Sequence, residues 1–362
     1  MVRLLFVTVM VLMAGLQQVQ ALERPGVEFK IFQFPPNMIP TIDGKTDDWK
    51  IVGKEYVIGS DQLSDTVKGK GTKIDPKDYN CKIRVGWVKG MNRLYFLYEA
   101  YDNFWKFDTI NLANDIFEVV VDGDLSGGPL IPSMRTDMKM NFWDGYLFQG
   151  VMAQNYHIFT PAKGKDWCMV WGCQQYIKEL PWANHACSYN FKNGQSGKLV
   201  LEFWITPFDY APYDDPGRAV ESKLEENNII GLSWSILDYD KGNEKEQTYS
   251  AFMNLSQKTT MYGNASDLVA FRLMPLEKRF HKPLEVGWTF KVVDMDRRLV
   301  AFKDLTYGKV TSWKWDFGDG TTSTEQHPIH QYAKGGLYVV VLYVEGPDGK
   351  DQLSKVWDVT LK

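Results

Sequence analysis

Apolar positions recur every second residue along much of the chain, and few segments carry the three-to-four spacing of a helix. In "LYFLYEAYD" (94–102), Leu94, Phe96, Tyr98 and Ala100 fall on one face of an extended strand. "DIFEVVVD" (115–122) sets Phe117, Val119 and Val121 against Glu118, Val120 and Asp122. "DMKMNFW" (137–143) sets Met138, Met140 and Phe142 against Asp137, Lys139 and Asn141, and so predicts another strand. "KLVLEFWI" (198–205) and "IIGLSWSIL" (229–237) are two more. "PGRAVESKLEENN" (216–228) reads as one short helix or as a charged loop. The pattern predicts an all-β chain with long loops, built from packed sandwiches. "MPLEKRFHKPLE" (274–285), with two prolines and mixed charge, reads as a linker between a large domain and a small one.

Composition narrows the class. A chain of 362 residues has room for two or three domains, and its net charge of −4 argues against a nucleic-acid partner. The opening "MVRLLFVTVMVLMAGLQQVQA" has a positive Arg3, an apolar run from Leu4 to Leu16, and small residues at Val19 and Ala21. That order predicts a signal peptide over residues 1–21, with an uncleaved anchor as the alternative. No cysteine follows the apolar run, which disfavours a lipid anchor, and no later stretch is apolar enough for a membrane helix. The expectation is an exported chain that does not span a membrane: periplasmic, secreted or at the cell surface. Four cysteines, Cys81, Cys168, Cys173 and Cys187, suit an oxidising compartment and predict two disulfides in one of three connectivities. Buried free thiols, or a zinc site completed by His185, are the alternatives.

The C-terminal part holds the densest motif: Trp313-x-Trp315-Asp316-Phe317-Gly318-Asp319-Gly320, then Pro328-x-His330-x-Tyr332, then Gly336-x-Tyr338-x-Val340. Three rings alternate along one strand, glycines permit a tight turn, and the aspartates can bond turn amides. A catalytic aspartate pair is the sharper alternative. Residues 284–362 closely resemble the PKD domain, which implies a small immunoglobulin-like β-sandwich serving as a spacer or weak binding module.

Upstream, "IPTIDGKTDDWK" (39–50), "CKIRVGWVKGMNRLYFLYEAYD" (81–102), "NDIFEVVVDGDLSGG" (114–128), "IIGLSWSILDYDKGNEKEQTYSAFM" (229–253) and "SDLVAFRLMP" (266–275) follow in order. Together they resemble the family 9 carbohydrate-binding module and its superfamily over residues 38–275, leaving 276–283 as linker. The resemblance implies a large jelly-roll-like β-sandwich, with a poly- or oligosaccharide held between aromatic rings and hydrogen-bonded by charged side chains. Residue by residue, it places the binding glutamate on Glu118, its basic partner on Lys139 and one ring near Tyr262. The second ring position falls on Leu112, with Trp105 on the same loop as substitute. By alternation, Glu118 and Lys139 both point away from their strands' apolar faces and could share one concave polar face, or be a solvated surface pair. Trp143, Trp171 and Trp182 are spare aromatics nearby, read as core rather than platform.

Two acidic turns suggest a cation. In "DGDLSGG" (122–128), Asp122, Asp124 and Ser126 offer oxygen ligands two residues apart, which suits a structural Ca²⁺; an aspartate-capped turn is the alternative. "DYDKGNE" (238–244) adds Asp238 and Asp240. No nucleophile elbow, zinc-protease, P-loop or Rossmann motif occurs, so the chain reads as a non-catalytic, exported carbohydrate-binding protein. Two rivals stand beside it. One is a haem-binding electron-transfer domain using Met138, Lys139, Met140 or His157, disfavoured because Met138 and Lys139 face opposite ways on a strand. The other is a purely structural adhesion module.

Overall fold

The computed structural model describes residues 22–69, 71–108, 112–135, 139–240, 250–281 and 283–361, with the side chains of 356–358 and 360 excepted. The signal-peptide segment and Met138 lie outside the described residues. Among the described residues no helix is long and apolar enough to cross a membrane.

The large domain is a sandwich of two sheets joined by one strand. Its main strands are β1 (Glu23–Gln33), β2 (Tyr79–Trp87), β3 (Leu94–Asp102), β4 (Ile116–Asp122), β5 (Gln154–Phe159), β6 (Cys168–Val170), β7 (Ala183–Tyr189), β8 (Gly197–Ile205), β9 (Ile229–Asp238), β10 (Ala251–Asn254) and β11 (Val269–Leu273). One sheet runs β6-β5-β4-β9-β11-β1, and the other β1-β2-β3-β8-β7. β1 pairs with β11 along its length and with β2 at its last two residues, so it carries the chain from one sheet to the other. It lies ahead of residue 38, where the sequence resemblance starts.

The alternation read from the sequence aims one set of side chains inward. Tyr98 of one sheet stacks on Phe117 of the other at 4.5 Å, and Phe96 stacks on Phe203 at 4.6 Å. Full burial of each such ring contributes about 1.5–3 kcal/mol. The outer face of β4 is buried too, where the sequence predicts an open polar surface. Val120 packs there against Leu130, Ile131, Met261 and Leu268, because loops after β4 and β10 fold back over the sheet. This second covering layer decides the fate of Glu118.

One strand prediction fails. Of the stretch 137–143, Asp137 and Met138 lie outside the described residues, 139–141 are irregular, and Phe142–Phe148 form a short helix, α1, in place of a strand. The Asn141 side chain accepts from the Asp144 amide at its start, and local capping of this kind competes with extended pairing. At 216–228 the chain makes one 3₁₀ turn, Pro216–Arg218, and a two-residue strand, Val220–Glu221.

The small domain is a second sandwich: β12 (Trp288–Asp294), β13 (Leu299–Asp304) and β16 (Ile329–Gln331) face β14 (Ser312–Asp316), β15 (Thr322–Ser323), β17 (Gly336–Gly346) and β18 (Gly349–Leu361). Trp315 and Phe317 are buried in its core, and Trp313 donates to Asp304 Oδ2 at 2.8 Å. Gly318 and Gly320 take φ of +78° and +89° at the turn. Asp316 and Asp319 accept from the amides of Gly318 and Thr321, both at 3.0 Å, so the aspartates build the turn. His330 bonds Asp319 Oδ2 at 2.7 Å and stacks on Phe317, while the Tyr332 hydroxyl donates to the Phe317 carbonyl.

The two sandwiches touch. The Arg93 guanidinium lies 4.0 Å from the Trp204 ring centre and reaches the Phe290 carbonyl at 3.5 Å. Lys291 pairs with Glu221 at 2.5 Å, and Lys303 donates to the Gly90 carbonyl at 3.2 Å.

Candidate functional site

β4 lies between β5 and β9, and the register brings three polar side chains to one level. Glu118 is opposite His157 on one side and Ser235 on the other. Its Oε1 accepts from Asn155 Nδ2 at 2.9 Å and lies 3.3 Å from His157 Nε2. Its Oε2 accepts from Ser235 Oγ at 2.6 Å. Asn155 also donates to the Tyr262 carbonyl at 2.8 Å, tying the floor to the loop that carries that ring. Burial lowers the His157 pKa below its ordinary value, against the opposing pull of Glu118.

Two half-buried rings stand over this floor. Trp171, in the turn after β6, stacks on His157 at 4.9 Å. Tyr262 lies 6.5 Å from Trp171, with the ring planes at 70°. Polar capacity is left over beneath them. His157 Nδ1 and Asn155 Oδ1 are buried with no hydrogen-bond partner among the described residues. Buried polar atoms are normally paired, so two spare ones at one site mark a place where water or a ligand belongs.

The sequence expectations divide here. Glu118 and Tyr262 do meet at one site. Glu118, however, is 1% exposed and lies under the rings rather than on an open concave face. Lys139 is exposed in the segment leading to α1, and it is not among the partners of Glu118. β5 and β9 flank β4, so the polar partners are Asn155, His157 and Ser235, and Lys139 belongs instead to the connection between β4 and β5. Trp105 is core: 1% exposed, stacked on Phe191 at 4.9 Å, with its Nε1 donating to the Gly197 carbonyl. Leu112 is 37% exposed and supplies no ring, and the second ring is Trp171. Alternation at "QNYHIF" (154–159) was the available signal for Asn155 and His157. Trp171, read from the sequence as core, is half-buried and stands over His157 beside Tyr262. Trp143, expected in the core, is 68% exposed.

The cysteines are all free: Cys81 and Cys168 buried, Cys173 half-buried, Cys187 exposed. The expected disulfides are therefore not formed, and His185 stacks on Trp167 instead of joining a thiol cluster. Burial pushes the Cys81 thiol up to about 12, so it behaves as a small apolar side chain.

The acidic turns also separate. Asp122 accepts from the amides of Ser126 and Gly127 at 3.2 and 2.7 Å, and Asp124 accepts from Ser126 at 3.0 Å, which makes this segment an aspartate-capped bend. Asp238 and Asp240 join a larger nest. Asp238 lies with Asp102 and Asp115, and also with Asp78 and Asp240, each trio having carboxylate oxygens within 4.8 Å of one another. The ends of β3 and β9 and the start of β4 converge there. Burial raises Asp102 to about 7, helped by Asp240 and Asp78, while backbone amides oppose it. Asp115 is raised well above the carboxylate range by burial and then by Asp102 and Asp238.

Residues 297–361 match the PKD domain family, the class of module that the C-terminal sandwich represents. Among curated relatives, a collagenase of Bacillus cereus (strain Q1) is 49% identical over 55 residues, which is 15% of this chain and 6% of the collagenase. A microbial collagenase of Vibrio alginolyticus is 52% identical over 42 residues, 12% of this chain and 5% of that protein. The matches thus span about a twentieth of those relatives' length. Among solved structures, a family 9 carbohydrate-binding module of Caldicellulosiruptor kristjanssonii in complex with cellotriose is 14% identical, covers 72% of this chain and all of its own, and has a TM-score of 0.45. The PKD1 domain of the Vibrio cholerae metalloprotease PrtV is 30% identical over 22% of this chain and 99% of its own, with a TM-score of 0.20.

Proposed function

We propose that the large sandwich is a non-catalytic saccharide-binding module of an exported protein, with the PKD sandwich docked beside it as an accessory. The observation that carries this is the polar floor of Glu118, Asn155 and His157 beneath the inclined rings of Trp171 and Tyr262. A sugar offers apolar C–H faces and a polar edge, and this site offers rings for the former and a carboxylate, an amide and an imidazole for the latter. The Trp171 indole covers His157, so a sugar reaches the floor when that ring turns aside. Catalysis is not favoured by the order of groups. Glu118 stands between Ser235 and His157, whereas nucleophilic catalysis needs the imidazole against the hydroxyl.

Calorimetric titration of the full chain with glucose, cellotriose and the matching xylose and mannose series tests this reading. Binding of one series, lost in Tyr262→Ala and Trp171→Ala with thermal stability retained, is the expected result. No binding to any of them overturns it and leaves the structural-module reading. The collagenases among the relatives share only a small segment, and their activity is not carried over.

A second reading concerns the aspartate nest. Buried, converging oxygen donors fit a hard divalent cation, which would offset the burial and the mutual repulsion that raise Asp102 and Asp115. We propose a structural Ca²⁺ held by Asp102, Asp115 and Asp238, with Asp78 and Asp240 beside them. A rise in melting temperature with millimolar Ca²⁺, reversed by chelator, is the check.

A further inference from the structure

A cavity of about 190 Å³ lies in the seam between the two sandwiches, and both supply its walls. The large domain gives Arg93, the residue before β3, and Asn184 of β7; the PKD sandwich gives Thr289, Phe290 and Val292 of β12. Arg93 is the one charged side chain among the described residues that line it. Its guanidinium lies 4.0 Å from the ring centre of Trp204 and 5.9 Å from that of Phe290. Ring faces offset part of the hydration that a half-buried cation loses. They do not use its donors. A guanidinium has five N–H groups, and the one hydrogen bond from Arg93, Nη2 to the Phe290 carbonyl, is 3.5 Å long. No carboxylate among the described residues pairs with it.

Two more polar groups line the same space with capacity to spare. Thr289 is 7% exposed, and its hydroxyl makes no hydrogen bond among the described residues. Asn184 spends its Oδ1 on the His185 amide at 2.9 Å and keeps both of its N–H groups. Ile42, Leu180 and Met295 continue the wall and are apolar. This combination selects the guest. The free edge of a guanidinium matches the two oxygens of a carboxylate, and the hydroxyl and the amide can donate to the same head group. A cationic guest would meet Arg93 as a like charge, and a dianion would bring a second charge with no positive partner in the cavity. The volume equals about six waters at ~30 Å³ each, which admits a ring or a short alkyl chain with one head group and excludes an oligosaccharide.

We propose that this seam binds a small monocarboxylate with an apolar body, its head group on Arg93 and Thr289 and its body against Leu180, Val292 and Met295. The site shares no residue with the Trp171–Tyr262 site and does not rest on the saccharide reading. Because its walls come from both sandwiches, a bound guest also ties them together. The test is calorimetric titration of the full chain with benzoate and hexanoate, and with benzamide and hexanamide, their neutral counterparts of the same shape. The carboxylates should bind, and the amides should bind at least about tenfold more weakly. Arg93→Gln should abolish that preference. Since Arg93 also packs the seam, Thr289→Val is the second variant. It keeps the shape of the side chain and removes an unpartnered hydroxyl, so it should melt no lower than the wild type while binding benzoate about threefold or more weakly. Equal binding of acid and amide overturns the anionic head group. No binding of any of the four overturns the site, and the seam is then packing alone. Wild-type affinity for benzoate in both variants places the guest elsewhere and overturns the assignment.

Discussion

Removing the negative charge of Asp102 should stabilise the protein in chelator, an advantage that calcium cancels or reverses. The carboxyl of Asp102 is 1% exposed and is pushed from 3.8 to about 7 by burial and by Asp240 and Asp78. A folded-state value above the unfolded one gives stability that is fully present below the unfolded pKa and lost as pH rises through the folded one. At ~1.36 kcal/mol per pH unit, that loss is on the order of 4 kcal/mol between acid and pH 8. Asn at this position keeps the acceptor for the Phe104 amide, now 2.9 Å from Asp102 Oδ1, and cannot ionise. In EDTA the wild type should thus melt lower at pH 8 than at pH 5. Asp102→Asn should melt higher than the wild type at pH 8, with the difference closing toward pH 5. At about 2–4 °C per kcal/mol for a domain of this size, the ceiling is roughly 8–16 °C. Ca²⁺ at ~1,000 times its Kd adds about 4.1 kcal/mol to the protein that binds it, enough to cancel the difference at pH 8 and to invert the order toward pH 5, where the difference is smaller. Differential scanning calorimetry over pH 5–8, with and without Ca²⁺, reads all four conditions. Parallel pH profiles for wild type and variant in EDTA would refute the reasoning about the buried carboxyl; calcium-insensitive melting would refute the ion.

Three further outcomes are expected. Glu118→Gln keeps the shape of the floor but removes the charge facing His157, and should weaken saccharide binding about tenfold or more in calorimetry, at ~1.4 kcal/mol per decade. Glu118→Ala is the poorer probe, since it strands the Ser235 hydroxyl in the interior at about 1–3 kcal/mol and confounds folding with binding. Trp105→Ala should cost about 3–5 kcal/mol in urea denaturation while leaving the saccharide affinity of the folded fraction unchanged, because the ring is core. Arg93→Ala combined with Lys291→Ala and Lys303→Ala should loosen the PKD sandwich from the large one, seen as a broader interatomic distance distribution in small-angle X-ray scattering with little change in the large domain's melting.

The class of the fold was legible in local pattern. Strand periodicity located β3, β4, β8 and β9 to within a residue or so at each end, since a half-buried pleat imposes a two-residue repeat on whatever sequence fills it. The WDFGDG turn was legible for a similar reason: ring alternation and the positive φ of Gly318 and Gly320 are local demands. The stretch 137–143 misled because alternation over seven residues also fits a capped helix that shows its rings to solvent.

By itself the sequence determined that this is a chain of β-sandwiches and that a PKD domain follows the larger one. Only the tertiary structure placed Asn155, His157 and Trp171 about Glu118, left Lys139 and Trp105 away from it, and brought five aspartates from four segments together. The physical reason is that a strand's own residues fix which way its side chains point, whereas what they meet is fixed by neighbours brought from far along the chain, through loops that carry no periodic signal.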